Sequence, residues 1–106
     1  MTLFTVSDPQ GIEVHCESGQ WKEHVLENRP FMSGWENEAE QVIQQPNAIF
    51  RDASFSNRRC YYRLRGNGRS YLKVVTERVA EKRHRLITSF PTDAPKQGET
   101  ILWIEN

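Results

Sequence analysis

Several things are scarce in this sequence of 106 residues. It has only 2 cysteines, Cys16 and Cys60, too few for a disulfide framework and not at metal-finger spacing. No apolar run approaches the roughly 18 residues of a membrane helix, and MTLFTVSDPQ has no charged-then-apolar leader pattern. CxxC, HExxH, Walker and GxSxG sequences are all missing, and Gly66 and Gly68 precede no helix that would bind phosphate. The acids are scattered and the 3 His lie far apart in sequence, so neither a cofactor nor a metal site is expected. These absences leave one cytoplasmic domain over residues 1–106, with no membrane partner. Three Trp and 10% aromatics are too many for a disordered chain.

Net charge is lacking too, since 14 Lys/Arg balance 14 Asp/Glu. The balance hides an asymmetry. Residues 1–50 hold 2 bases and 8 acids, while residues 51–85 hold 11 bases and 3 acids. Net charge is therefore −6 and then +8, with −2 over the remainder. A segment of that density is an electrostatic footprint for an anionic partner, provided its cations share a surface. Basic residues on the open face of an antiparallel sheet are also ordinary solvated decoration.

Alternation over Leu3–Val6 and Ile12–Cys16, around the turn residues Asp8-Pro9-Gln10-Gly11, predicts a short N-terminal hairpin. Trp21, His24, Val25 and Asn28 share one face at helical spacing, with Ser18 as N-cap and Pro30 as stop. Ser33-Gly34-Trp35-Glu36 reads as a capping box opening a second helix whose stripe is Trp35, Ala39, Val42 and Ile43, ended by Pro46. From Ala48 the period becomes two, predicting strands at about 48–52, 58–65, 70–78 and 84–90. Arg65-Gly66-Asn67-Gly68-Arg69 joins two of them as a hairpin turn, and Val79–Arg83 reads as a looser charged loop. Thr100–Glu105 fits a last strand or an apolar clip. The expected architecture is α+β: two N-terminal helices packed on a four-stranded antiparallel β-sheet.

Apolar groups occur on both faces of the strands, so alternation leaves open which face the helices cover. Leu72, Val74 and Thr76 oppose Tyr71, Lys73, Val75 and Glu77, and strand pairing decides whether Tyr61 or Tyr62 joins Lys73. One face must combine Arg, Lys, Tyr and Ser/Thr, a mixture able to hold a phosphodiester. His24 reads either as a general acid or base or as a core-edge histidine beside Trp21 and Val25. His15 and His84 read as structural or surface residues.

The order Gly11-Ile12-Glu13-Val14, Trp21-x-x-His24-Val25-Leu26, Gln45-Pro46-Asn47-Ala48-Ile49, Arg59-Cys60-Tyr61-Tyr62-Arg63, Tyr71-Leu72-Lys73-Val74-Val75 and Leu86-Ile87-Thr88-Ser89-Phe90-Pro91-Thr92-Asp93 resembles the phage- and toxin-associated branch of the barnase–EndoU–colicin–RelE-like (BECR) ribonuclease superfamily. It departs from that branch at Arg29-Pro30, where members often carry a second His or an acid. The resemblance implies a BECR-like fold and metal-independent endoribonuclease activity by 2′-OH attack on RNA. It implies an antitoxin or immunity protein as a further partner. Carried over by position, His24, Lys73, Tyr62 and Thr88 form the catalytic set, with Arg59, Tyr61, Arg63, Ser89 and Thr92 contacting substrate. The alternative is a non-catalytic RNA- or protein-binding module.

Overall fold

The computed structural model describes all 106 residues. Seven strands form one mixed sheet: β1 (Thr2–Ser7), β2 (Glu13–Glu17), β3 (Ala48–Arg51), β4 (Arg58–Leu64), β5 (Tyr71–Ala80), β6 (Arg83–Thr92) and β7 (Thr100–Ile104). Their spatial order is β1-β2-β6-β5-β4-β3-β7. The expected two helices on four strands are therefore incorrect, and the helical content is small. The antiparallel meander β3–β6 does form, but strands add to both of its sides. The N-terminal hairpin docks through β2, which runs parallel to the start of β6 and pairs Val14 with His84. At the far side β7 pairs antiparallel with β3. Local alternation identified the hairpin strands and left Thr100–Glu105 open between strand and clip, and it carries no information on non-local pairing, so it could not place them in the sheet.

The helical segment is shorter than its periodicity suggested. Helix α1 covers only Ser18–Trp21 and continues as a π-helical turn over Lys22–Leu26. β2 leads into it without a loop, so Glu17 rather than Ser18 holds the N-cap position. The capping box at Ser33 is not formed either. A 3-10 turn over Pro30–Met32 and Gly34 at φ +91 place Trp35 at the N-cap of α2 (Glu36–Gln44). The loop expected at Val79–Arg83 is a tight turn, with Lys82 in the left-handed region at φ 57.

One face of the sheet carries the main core. Val14, Cys16, Ile49, Tyr61, Leu72, Val74 and Leu86 point from the strands toward Trp21, Val25, Met32, Ala39, Val42 and Ile43 of the helical segment. The outer face holds a smaller cluster of Cys60, Tyr62 and Val75, flanked by Phe50, Tyr71 and Ile87.

This outer face is crossed by the link from β6 to β7. Only residues 93–99 connect strands four positions apart in the sheet. Four strand spacings are about 19 Å, and such a segment reaches about 25 Å when extended. The link has little slack. It is fastened by Glu99, whose carboxylate accepts from Lys73 Nζ at 2.8 Å and from the Tyr62 hydroxyl. The Lys73 and Glu99 side chains are 7% and 1% exposed, so this is a buried ion pair. Gly98, at φ +95, lies so close to the neighbouring loop that a Cβ would meet the Ala53 Cβ at 3.1 Å.

Removing one member of a buried pair strands the other charge in a low-dielectric site. Glu99→Gln is expected to lower stability by about 3–5 kcal/mol, measured by urea denaturation. Lys73→Met combined with Glu99→Leu should cost clearly less than the single substitution.

Candidate functional site

The sheet divides the sequence-predicted site residues between its two faces. Tyr62 pairs with Lys73, so these two share the outer face with Glu99. Tyr61, one residue on, pairs with Val74 and is buried in the main core. Its hydroxyl donates to Asp8 Oδ2 at 2.7 Å. Ser89 is also fully buried and donates to the Lys73 carbonyl at 2.9 Å. Arg63 donates to the Gln45 carbonyl and so closes the C-terminal end of α2. Thr92 donates to the Ala94 carbonyl.

His24 is exposed on the π-helical turn, between the buried Trp21 and Val25. Thr88 reaches it, but the bond runs from Thr88 Oγ1 to the His24 backbone carbonyl at 3.3 Å. No hydrogen bond joins the His24 ring to Lys73, Arg63, Tyr61 or Tyr62. The exposed imidazole and the buried Lys73–Glu99 pair are thus not assembled into one site.

Burial, reinforced by Glu99, holds the Tyr62 phenol far above its usual range, and burial with Asp8 does the same to Tyr61. Both are hydrogen-bond donors. Cys60 is likewise pushed up to about 12 by burial, so it is a thiol. Asp52 differs. Burial opposes its charge, yet the backbone N–H groups of Ser54 and Phe55, with Lys73 and Arg58 nearby, hold it below the usual carboxylate range. Asp52, Cys60 and Glu99 bring one ligand atom each within 4.8 Å of one another. Glu99 is already matched there by the Lys73 ammonium, which gives this junction a structural role.

A different constellation lies on the helix-bearing face, where no helix covers the sheet. Along that face run Arg51 on β3, Arg59 on β4, Thr76 on β5 and His84 on β6, and pairing puts Arg51 beside Arg59 and Arg59 beside Thr76. Arg51, Arg59 and His84 line a cavity of about 740 Å³ together with Arg58, Arg78, Lys82, Ser56 and Asn57. Five cations face it and one acid, Glu81.

Ion pairing decides which cations can take a ligand. Among the 11 bases of residues 51–85, Arg58 and Arg85 meet Glu77, Arg59 meets Asp8, Arg65 meets Glu38, and Lys73 meets Glu99. Arg63 is spent on the end of α2. Arg51, Arg69, Arg78, Lys82 and Arg83 have no acid within ion-pair distance, and three of these five, Arg51, Arg78 and Lys82, line the groove.

Arg59 forms the groove's fixed point. Asp8 is buried in the β1–β2 turn, and its Oδ1 accepts from the backbone N–H groups of Gln10 and Ile12 at 2.8 and 2.9 Å. Its Oδ2 lies 3.5 Å from Arg59 Nη2, which also donates to the Gln10 side chain. Arg59 Nε is buried and makes no hydrogen bond. A buried, charged N–H without an acceptor is costly, and the Asp8 and Gln10 contacts of the same guanidinium offset part of that cost.

His84 forms part of the wall, 5% exposed, with Nδ1 at 2.9 Å from Thr76 Oγ1. Burial, then the Arg59 charge, push it down to about 4, with Asp8 opposing and Arg78 assisting. It is a neutral imidazole at pH 7. The third histidine, His15, is held at the surface between Thr5 and Glu17.

The sequence reading included Arg59 but not Arg51, Arg78, Lys82 or His84. Their common signal was the basic run itself, read at a period of two through β3 to β6. Comparisons with family models, curated proteins and solved structures give no match for this chain. No helix is long and apolar enough to cross a membrane.

His84 makes stability depend on pH with a definite sign. Its folded-state value lies below the ordinary 6.5, so the unfolded chain takes up a proton first as pH falls. The stabilisation is complete above pH 6.5 and is lost on acidification toward pH 4, by about 2 kcal/mol after allowing for solvent screening. Thermal denaturation across this window should show the loss, and His84→Gln should flatten it.

Proposed function

We infer that this chain is an RNA-binding module whose contact surface is the basic groove between the β1–β2 turn and the tip of β5–β6. The observation that carries this reading is the set of three cations without an acid partner, Arg51, Arg78 and Lys82, around the anchored Arg59. Such a surface binds phosphates by charge and by charge-assisted hydrogen bonds. The serine and asparagine at its rim, Ser56 and Asn57, add neutral donors.

One observation favours cleavage as a second reading. A neutral imidazole beside several guanidinium groups has the parts needed to deprotonate a 2′-OH and to neutralise charge developing at phosphorus. His84 has that setting, and exposed His24 lacks it. Burial is the main cause of the His84 depression, and a phosphodiester in the groove would offset the added effect of Arg59 and Arg78.

Fluorescence anisotropy with a labelled single-stranded RNA tests the binding reading. Three neutralised phosphates give a slope of about −2 for log K against log salt. Arg51→Gln and Arg78→Gln should each weaken binding and make that slope shallower by about 1. Salt-independent or absent binding would defeat the proposal. Incubating total RNA with the protein in EDTA separates the two readings. Ends carrying 2′,3′-cyclic phosphate that vanish in His84→Gln but persist in His24→Ala mark cleavage from the groove, and intact RNA marks a binding module.

A further inference from the structure

Every aromatic ring in this chain is engaged away from the groove floor. Tyr61 and Trp21 are in the main core, while Phe50, Tyr62 and Tyr71 pack edge to face on the outer side. Arg65 covers Trp35, and Arg29 covers Phe90. Phe55 is the ring nearest the rim, adjoining Ser56, and the Arg58 guanidinium stacks on it at 4.1 Å from its centroid. The groove lining contains no Phe, Tyr or Trp.

Its polar content is likewise one-sided. The charged donors on Arg51, Arg59, Arg78 and Lys82 face phosphates well, but base edges are read by paired donors and acceptors. Glu81 is the only carboxylate present, at the turn. The cations also form a row across the sheet. From Arg51 on β3 to Arg78 on β5 is two strand spacings, about 10 Å, which covers about three phosphates of a strand whose charges repeat every ~3.4 Å when stacked. Arg59 fixes one place in that row. Its Nη2 is held by Asp8 and Gln10, which fixes the guanidinium in the groove wall.

We propose that the groove grips the phosphodiester backbone of a single strand through Arg51, Arg59, Arg78 and Lys82, and does so independently of base and sugar identity. This rests on the RNA-binding reading and narrows it. Stacking on Phe, Tyr or Trp, a usual route to sequence-specific RNA binding, has no ring in the groove lining to carry it.

The test uses the full chain and labelled 12-mers of rU, rA, rC and dT, together with a 12-mer abasic deoxyribose-phosphate strand, at 50 and 200 mM salt. The expected result is one Kd within about threefold for all five probes. Arg59→Lys keeps the charge but loses the planar donor set, and it should weaken every probe by the same factor, about tenfold. Phe55→Ala should change none of them. Circular dichroism establishes that Arg59→Lys is folded, and if it is not, Arg51→Gln with Arg78→Gln must weaken all five probes equally. A spread above tenfold among the homopolymers, failure of the abasic strand or of dT, or a loss on Phe55→Ala overturns the proposal while RNA binding itself stands. Failure of every probe at 50 mM salt removes the RNA-binding reading, and this inference with it.

Discussion

The carboxylate of Glu99 meets a geometric demand that the rest of the sheet depends on. The chain must pass from the third position of a seven-stranded sheet to its last through seven residues. A link so short has to lie flat against the outer face, and a face under a link cannot stay solvated. Lys73 and Tyr62 supply the donors that let Glu99 be buried there. A lysine and a tyrosine alternating among Cys60, Val75 and Phe50 thus hold the crossover in place. Their neighbour Asp52 serves the same region by capping the backbone of the loop that follows β3.

On the opposite face Asp8 plays the corresponding part. Its two oxygens bind the β1–β2 turn to itself, to Tyr61 and to Arg59, so the hairpin is fixed to the meander by polar contacts as well as by Val14 and Cys16. The acidic N-terminal half does little to neutralise the basic segment. Asp8 and Glu38 are its only acids that pair with bases in residues 51–85. The charge asymmetry therefore survives folding, and three of its five bases without an acid partner lie in the groove, with Arg69 and Arg83 outside it.

Much of the local structure was legible from residue order. Alternation placed the meander strands nearly where they lie, and Gly68 at φ +69 follows from the Arg65–Arg69 turn. The hairpin at Asp8–Gly11 was legible for the same reason, since Gly11 sits at φ +81. The architecture was not legible. Parallel pairing of β2 with β6 and antiparallel pairing of β7 with β3 are long-range choices, decided by which edges of the meander remain open. The Ser33 capping box failed because Phe31-Met32 buries Met32 in a 3-10 turn, which displaces the start of the helix.

The candidate site was legible as a segment and not as a set of residues. Eleven bases in one run announced an anion partner, but composition cannot tell a guanidinium facing a carboxylate from one facing solvent. Tyr62 and Lys73 did share a face, as one possible register required, yet that face was the covered one. The unpaired Arg51, Arg78 and Lys82 emerge only once the partners of the other bases are known.

The order of the strands also bears on the route to the folded state. β4, β5 and β6 are joined by short turns, so their pairings are local and close small loops. The parallel contact of Val14 with His84 spans most of the chain, and the bond from Tyr61 to Asp8 spans half of it. Loop-closure entropy makes such contacts late and slow. The meander is thus the natural nucleus, and the anchored Arg59 with its groove belongs to the last cooperative step. A folding intermediate would carry the cations without the geometry that aims them.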